Sequence, residues 1–242
     1  MDKIEMCEKM TGKMEGMISI STSVLTNPNC NKNSKIEGAI CSHCYSRNMA
    51  GMYKALDAKN QRNTDILTTR IIPEDELPSV DSDEFPWARL EAFGDLHNET
   101  HLQNYMNLVR KNSESKWALY TKMYHLVYEY FSKHDVPENL TLVISSLMVN
   151  KPIDISKFQK LGKFKEGQLK VFTVYDKEYI AAHPELKINC GAKSCFTCHR
   201  CYDQRKETEV NEILKSDSTS ASFLIGLRDE TKIKSILSRF NP

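Results

Sequence analysis

This 242-residue sequence has no excess of either charge: 33 Lys and Arg face 32 Asp and Glu, for a net charge of +1. That balance excludes a broad electrostatic footprint for nucleic acid and leaves room only for a local basic patch. No stretch approaches the roughly 20 apolar residues that a bilayer span needs. The segment Met1 to Met17 mixes charges with methionines instead of forming a signal-peptide core. Internal repeats and low-complexity tracts are missing. So are a phosphate-binding glycine loop and a Gly-x-Ser-x-Gly elbow, which leaves nucleotide hydrolysis and serine hydrolysis without support. What remains, 40% hydrophobic and 27% charged residues, is a globular composition. It suits one α/β domain over residues 1–242 in the cytoplasm.

What the chain has is cysteine, eight in all. In a reducing cytoplasm, clustered thiols read as metal ligands before disulfides. Cys190, Cys195, Cys198 and Cys201 have gaps of four, two and two residues, short enough for the chain to wrap one centre. The first three match the spacing of a plant-type ferredoxin loop, so iron–sulfur is the first expectation and zinc the alternative. Cys30, Cys41 and Cys44 form a second set with three thiolates, which suits a four-iron cluster with one open position. The expected loops are 26–45 and 186–204. His43 and His199 sit between ligands and point away from them, and lone Cys7 reads as a partly buried free thiol.

A strand-then-helix rhythm carries these loops. Strands are expected at Met17–Leu25, Trp87–Phe93, Trp117–Tyr120, Leu140–Ile144, Leu169–Tyr175 and Ser222–Ile225. Helices are expected at Ser42–Thr64, Asn98–Lys111, Met123–Ser132, Ile155–Leu161, Glu207–Lys215 and Glu230–Phe240. Residues 72–85 read as a loop. Six strands alternating with helices predict a parallel sheet, open or curved into a partial (β/α)6 barrel. Such folds place chemistry at the carboxyl ends of their strands. Those ends hold the first cysteine set, then Gly94-Asp95-Leu96-His97, Thr121-Lys122, Ser145-Ser146 and Tyr175-Asp176.

Three cysteines after the first strand, ending Cys41-x2-Cys44-Tyr45, resemble the radical S-adenosylmethionine (SAM) enzymes. That resemblance implies a four-iron cluster whose open iron binds the methionine moiety of SAM. It also implies that Gly94 and Asp95 contact the methionine amino group and that Ser145 and Ser146 make polar contacts to the cofactor. Asp176 is the matching strand-end candidate. The sequence departs from the superfamily in its ten-residue first gap. The order Cys-x2-Cys-Tyr, Phe-Gly-Asp, Tyr-Thr-Lys and a terminal Cys-x2-Cys-x2-Cys is similar to the phage gene product 88 family, from about Ser19 to Tyr202. That family implies architecture and no activity.

Other residues have competing readings. Asp95 and His97, with Glu99 and His101 behind them, suit an acid–base pair or a capping network opened by Asn98. Lys122 suits a carboxylate or phosphate ligand, or an exposed helix position. Tyr120, Tyr124, Tyr128 and Tyr130 read as packing, Met6, Met10, Met14 and Met17 as an apolar stripe, and Lys157 to Lys170 as a solvated face. The leading expectation is an iron–sulfur, radical SAM-like enzyme that binds a small-molecule cofactor and acts on an unknown substrate. The alternative is a non-catalytic iron–sulfur or zinc protein of phage origin that binds a host protein or nucleic acid.

Overall fold

The computed structural model describes residues 3–215. Six strands form one sheet in the order β1-β2-β3-β4-β5-β6: Ile18–Ile20, Trp87–Leu90, Lys116–Thr121, Leu140–Ser145, Leu169–Tyr175 and Glu209–Ile213. Every neighbouring pair is parallel. β6 and β1 do not pair, so the sheet is open. Helices α1 to α8 span Pro28–Asn33, Tyr45–Met52, Lys54–Thr69, Glu99–Lys111, Tyr124–Lys133, Ser156–Gln159, Lys177–Ala182 and Cys195–Cys198. Parallel strands need crossover connections, and the helices of the early ones, α3, α4 and α5, pack on one face.

Alternation along the strands divides the two faces. Ile18, Ile20, Leu90, Trp117, Leu119, Leu140, Leu142 and Leu169 point to the helix side. There they pack against Leu67 of α3, Leu102, Tyr105 and Met106 of α4, and Val127 and Phe131 of α5. The buried faces of α4 and α5 follow the 3.6-residue period of their apolar positions. On the other face, Met17, Ala118 and Val143 meet Tyr202, with Tyr120, Phe172, Cys195 and Cys201 around them. The second cysteine loop is thus a roof over the inner face of the sheet.

Two expected elements differ. The helix expected over Ser42–Thr64 is two helices. A 3-10 turn at Ile40–His43 precedes α2, and Tyr53 leaves the helical region (φ −108°, ψ 87°) before α3 begins. Gly51, a weak helix former, lies just ahead of the break. The helix expected over Glu207–Lys215 is instead strand β6. The open edge of β5 presents backbone groups that need partners, and Glu209 to Ile213 pair with Val171 to Tyr175. The count of six strands therefore includes a segment read as helix. The expected strand Ser222–Ile225 and helix Glu230–Phe240 lie outside the described residues. Among the described residues, no helix is long and apolar enough to cross a membrane.

Candidate functional site

The seven clustered cysteines form two groups. In the first, Cys41 and Cys44 lie close enough to Cys30 to disfavour its ionisation, and Cys44 does the same to Cys41, beside Asp95 and Lys122. Asn27 caps α1 by accepting the N–H groups of Asn29 (2.9 Å) and Cys30 (3.1 Å). Its Nδ2 donates to the Asp95 carbonyl at 2.7 Å. Cys30 is therefore tied to the loop after β2. Cys41 is tied to the loop after β4, because the Ile40 N–H donates to Leu147 O at 2.9 Å and Ala39 bridges Met148. Cys44 opens α2, and the next residue, Tyr45, donates its hydroxyl to Ala92 O at 3.1 Å. The ten-residue gap between Cys30 and Cys41 thus spans from the end of β2 to the end of β4.

Burial is the main cause that pushes the Cys30 and Cys41 thiols up; Asp95 adds to it at Cys30, while Lys122 opposes it at Cys41. Asp95 is itself buried, and burial raises its pKa against the pull of Lys122 and Thr121. One Asp95 oxygen accepts from Thr121 Oγ1 (2.6 Å) and the Leu96 N–H (2.8 Å); the other accepts from the Lys122 N–H (2.9 Å). This carboxylate fastens the end of β2 to the end of β3. His97 is half-buried with an unpartnered Nε2, and burial, then His101, lower its pKa.

Ser146 shares a 3.0 Å hydrogen bond with Thr173 and accepts the Ile153 N–H at 3.1 Å; the Ser145 carbonyl accepts Tyr124 Oη at 2.7 Å. Asp176 caps α7 through the Tyr179 N–H and accepts Asn150 Nδ2 at 2.6 Å, with the Tyr179 bond holding its carboxyl below the usual range. Gly94 has φ +87°. A Cβ there would lie 2.6 Å from Thr22 O and 2.7 Å from Glu91 Oε2. Gly94→Ala is expected to destabilise the protein by about 1–3 kcal/mol through overpacking at a strained backbone. An unchanged urea midpoint would contradict that.

Glu91, unremarked in the sequence reading, sits under this loop at φ +57° with its side chain fully buried. It accepts from Thr22 Oγ1 (3.0 Å) and Tyr105 Oη (2.7 Å). His101 Nδ1 accepts the His97 N–H at 3.3 Å, which puts the proton on Nε2, 3.3 Å from Glu91 Oε1. An acid in the middle of the apolar run Trp87 to Phe93 was the available signal.

The second group, Cys190, Cys195, Cys198 and Cys201, lines one cavity. The Cys190 N–H donates to Asn211 O of β6 (3.0 Å), Ser194 caps α8, and His199 turns the chain at φ +36°. The His199 ring stacks on Trp87, 4.7 Å between centroids. Lys170 holds this loop down. It is fully buried on β5, and its ammonium donates to the carbonyls of Arg200 (2.8 Å), Asp203 (2.8 Å), Glu207 (3.1 Å) and Lys206 (3.3 Å). This corrects the solvated-face reading of Lys157 to Lys170, whose last member points inward because β5 alternates. Burial lowers its pKa against the pull of Cys201 and Asp203. Gly167, just before β5, allows the same approach: a Cβ there would fall 1.6 Å from Gln204 O.

All eight cysteines are free. Among the described residues, no three His, Cys, Asp or Glu side chains are already arranged as the ligands of one metal ion. The donor sets nevertheless suit soft metals: thiols gathered by threes and fours, with Lys122 beside one group and Arg89, Lys13 and Lys170 beside the other.

These features define an α/β protein with an open parallel sheet, one cysteine group at its carboxyl edge and another roofing its inner face. The Gene product 88 family matches residues 5–225, and the chain belongs to that family. The match agrees with the phage gene-product resemblance and does not extend to the radical SAM enzymes. No curated protein and no solved structure matches the chain.

Proposed function

We propose that the protein is an iron–sulfur protein of the cytoplasm whose first cysteine group forms a reactive, SAM-binding centre. The observation that supports this most is the meeting of three thiols, and only three of the clustered seven, at the carboxyl edge of a parallel sheet. Three thiolates leave a position open for a small molecule, at the edge where such folds put their chemistry. When bound, a four-iron cluster there supplies one-electron reduction of SAM. Cys30, Cys41 and Cys44 would hold it, Lys122 would offset their charge, and Asp95 would keep the ends of β2 and β3 in place. His97, with its unpartnered Nε2, is the candidate donor or acceptor to a ligand at that edge. The second group would hold a further centre that pins the roof.

The test is anaerobic purification followed by measurement of iron, sulfide and zinc per chain, with spectra before and after SAM. Replacing Cys30, Cys41 and Cys44 by serine is expected to remove one centre and abolish any SAM response. Replacing the other four is expected to remove a separate centre. Loss of all metal from either variant would mean one shared centre, against the two groups proposed. Zinc without sulfide would favour the second reading, in which the roof over Ala118, Val143 and Tyr202 is structural. The surface it supports would then meet a host protein or nucleic acid.

Loading also carries a pH signature. Burial, then Glu212, push the Cys190 thiol up to about 12, so the free thiol is protonated at neutral pH. Ligation displaces that proton, and metal affinity is expected to rise between pH 6 and 8, by about tenfold per pH unit for each proton released. A flat profile would contradict thiolate ligation.

A further inference from the structure

β2 places Arg89 on the inner face of the sheet, beneath the second cysteine loop. Its guanidinium carbon lies 3.8 Å from the centroid of the Tyr120 ring. Its Nε is buried without a hydrogen-bond partner; the Tyr202 hydroxyl oxygen faces the guanidinium, and its own proton has no acceptor. Arg89, Tyr120 and Tyr202 line the cavity shared by the four thiols, and no carboxylate lines it with them. The other cations of that cavity have acids beside them: Lys13 Nζ is 3.3 Å from Glu212, and Arg200 Nη1 is 2.9 Å from Glu207, although the Arg200 Nε, like that of Arg89, is buried without a hydrogen-bond partner. Among the described residues, Arg89 has no ion pair. Arg89 is half-buried with its Nε enclosed, and a guanidinium nitrogen enclosed without an anion is costly. The side chains beside it are phenols and thiols, neutral acids of which the thiols become anions only when a metal displaces their protons.

We propose that Arg89 is the counter-ion of a metal–tetrathiolate centre at Cys190, Cys195, Cys198 and Cys201, with the Tyr202 hydroxyl donating a hydrogen bond to one of its sulfurs. The inference rests on the metal-centre reading above. Four thiolates around a divalent metal, or around a four-iron core of charge +2, leave about two negative charges to offset. Arg89 offsets one of them from the sheet side, and the unpartnered Tyr202 hydroxyl gains its acceptor. Arg89 is thus a positioning residue, and outer-shell partners of this kind alter metal affinity by about 10–100-fold.

The experiment uses the full chain carrying Cys30→Ser, Cys41→Ser and Cys44→Ser, so that the first group contributes nothing, and Co2+ as the probe. Chelator competition gives the affinity, and the sulfur-to-cobalt charge-transfer band reports the field at the sulfurs. Arg89→Met is expected to weaken Co2+ binding about 10–100-fold and to move the band to lower energy, since removing a cation frees sulfur electrons. Arg89→Lys is expected to restore most of both, and Tyr202→Phe to move the band the same way by less. If Arg89→Met does not fold, the Arg89→Lys and Tyr202→Phe bands decide. An unmoved band with unchanged affinity overturns the proposal. Weaker binding with an unmoved band and no rescue by lysine also overturns it, because that is the signature of damage to the fold alone. Failure of the Arg89 parent to give any tetrathiolate spectrum overturns the metal-centre reading itself, and the counter-ion with it.

Discussion

Lys170→Met is expected to cost about 3–5 kcal/mol, the range for removing one member of a buried charged network. Methionine keeps most of the volume of the side chain but offers no donor, so four loop carbonyls lose the ammonium that gathers them. Each carbonyl left dry and unpaired carries its own penalty. The loss falls on the loop that holds Cys195, Cys198 and Cys201, so the second centre should load poorly while the first loads normally. Urea unfolding and metal per chain, measured on the same preparations, check both halves. Arg at this position should not rescue, because the space under the roof is fitted to a compact ammonium. A Lys170→Met chain with the stability and metal content of its parent would show that the roof is held by something else.

The second large effect is expected at Glu91. Glu91→Ala removes the acceptor for Thr22 and Tyr105, and the carboxylate 3.3 Å from His101, from a fully buried position, and about 3–5 kcal/mol should be lost. Glu91→Gln keeps the shape and one acceptor and should lose less, but not nothing, because its amide turns a donor toward groups that already donate. Because Glu91 supports the Gly94 loop, which carries Asp95 beside the first thiols, Glu91→Ala should also weaken the first centre and spare the second. Unfolding midpoints within 1 kcal/mol of the parent, an estimate of the surface-substitution limit, would remove Glu91 from this role.

The strand-helix rhythm was legible because it depends on local period. β5 falls on Leu169–Tyr175 as read, and α4 begins after Asn98, the cap expected to open it. The two cysteine sets were legible because ligand spacing is written along the chain. The β6 segment was not legible, since its helix-compatible residues become a strand only when the open edge of β5 needs partners. Arg89 and Lys170 each interrupt an apolar strand and Glu91 directly follows one, and such an interruption is a signal of buried charge. It says a partner is required without saying which one.

The sequence by itself determined the alternation of elements, the membership of the cysteine sets and the family, because period, spacing and motif order are properties of neighbours along the chain. Only the tertiary structure decided where the two cysteine sets stand, one at the carboxyl edge of the sheet and the other over its inner face. It also decided that the long first gap bridges two strand ends and that Lys170 and Arg89 lie under the second loop. Those facts concern residues from about 30 to more than 100 positions apart, brought together by sheet order, and no local pattern encodes which strand will stand beside which.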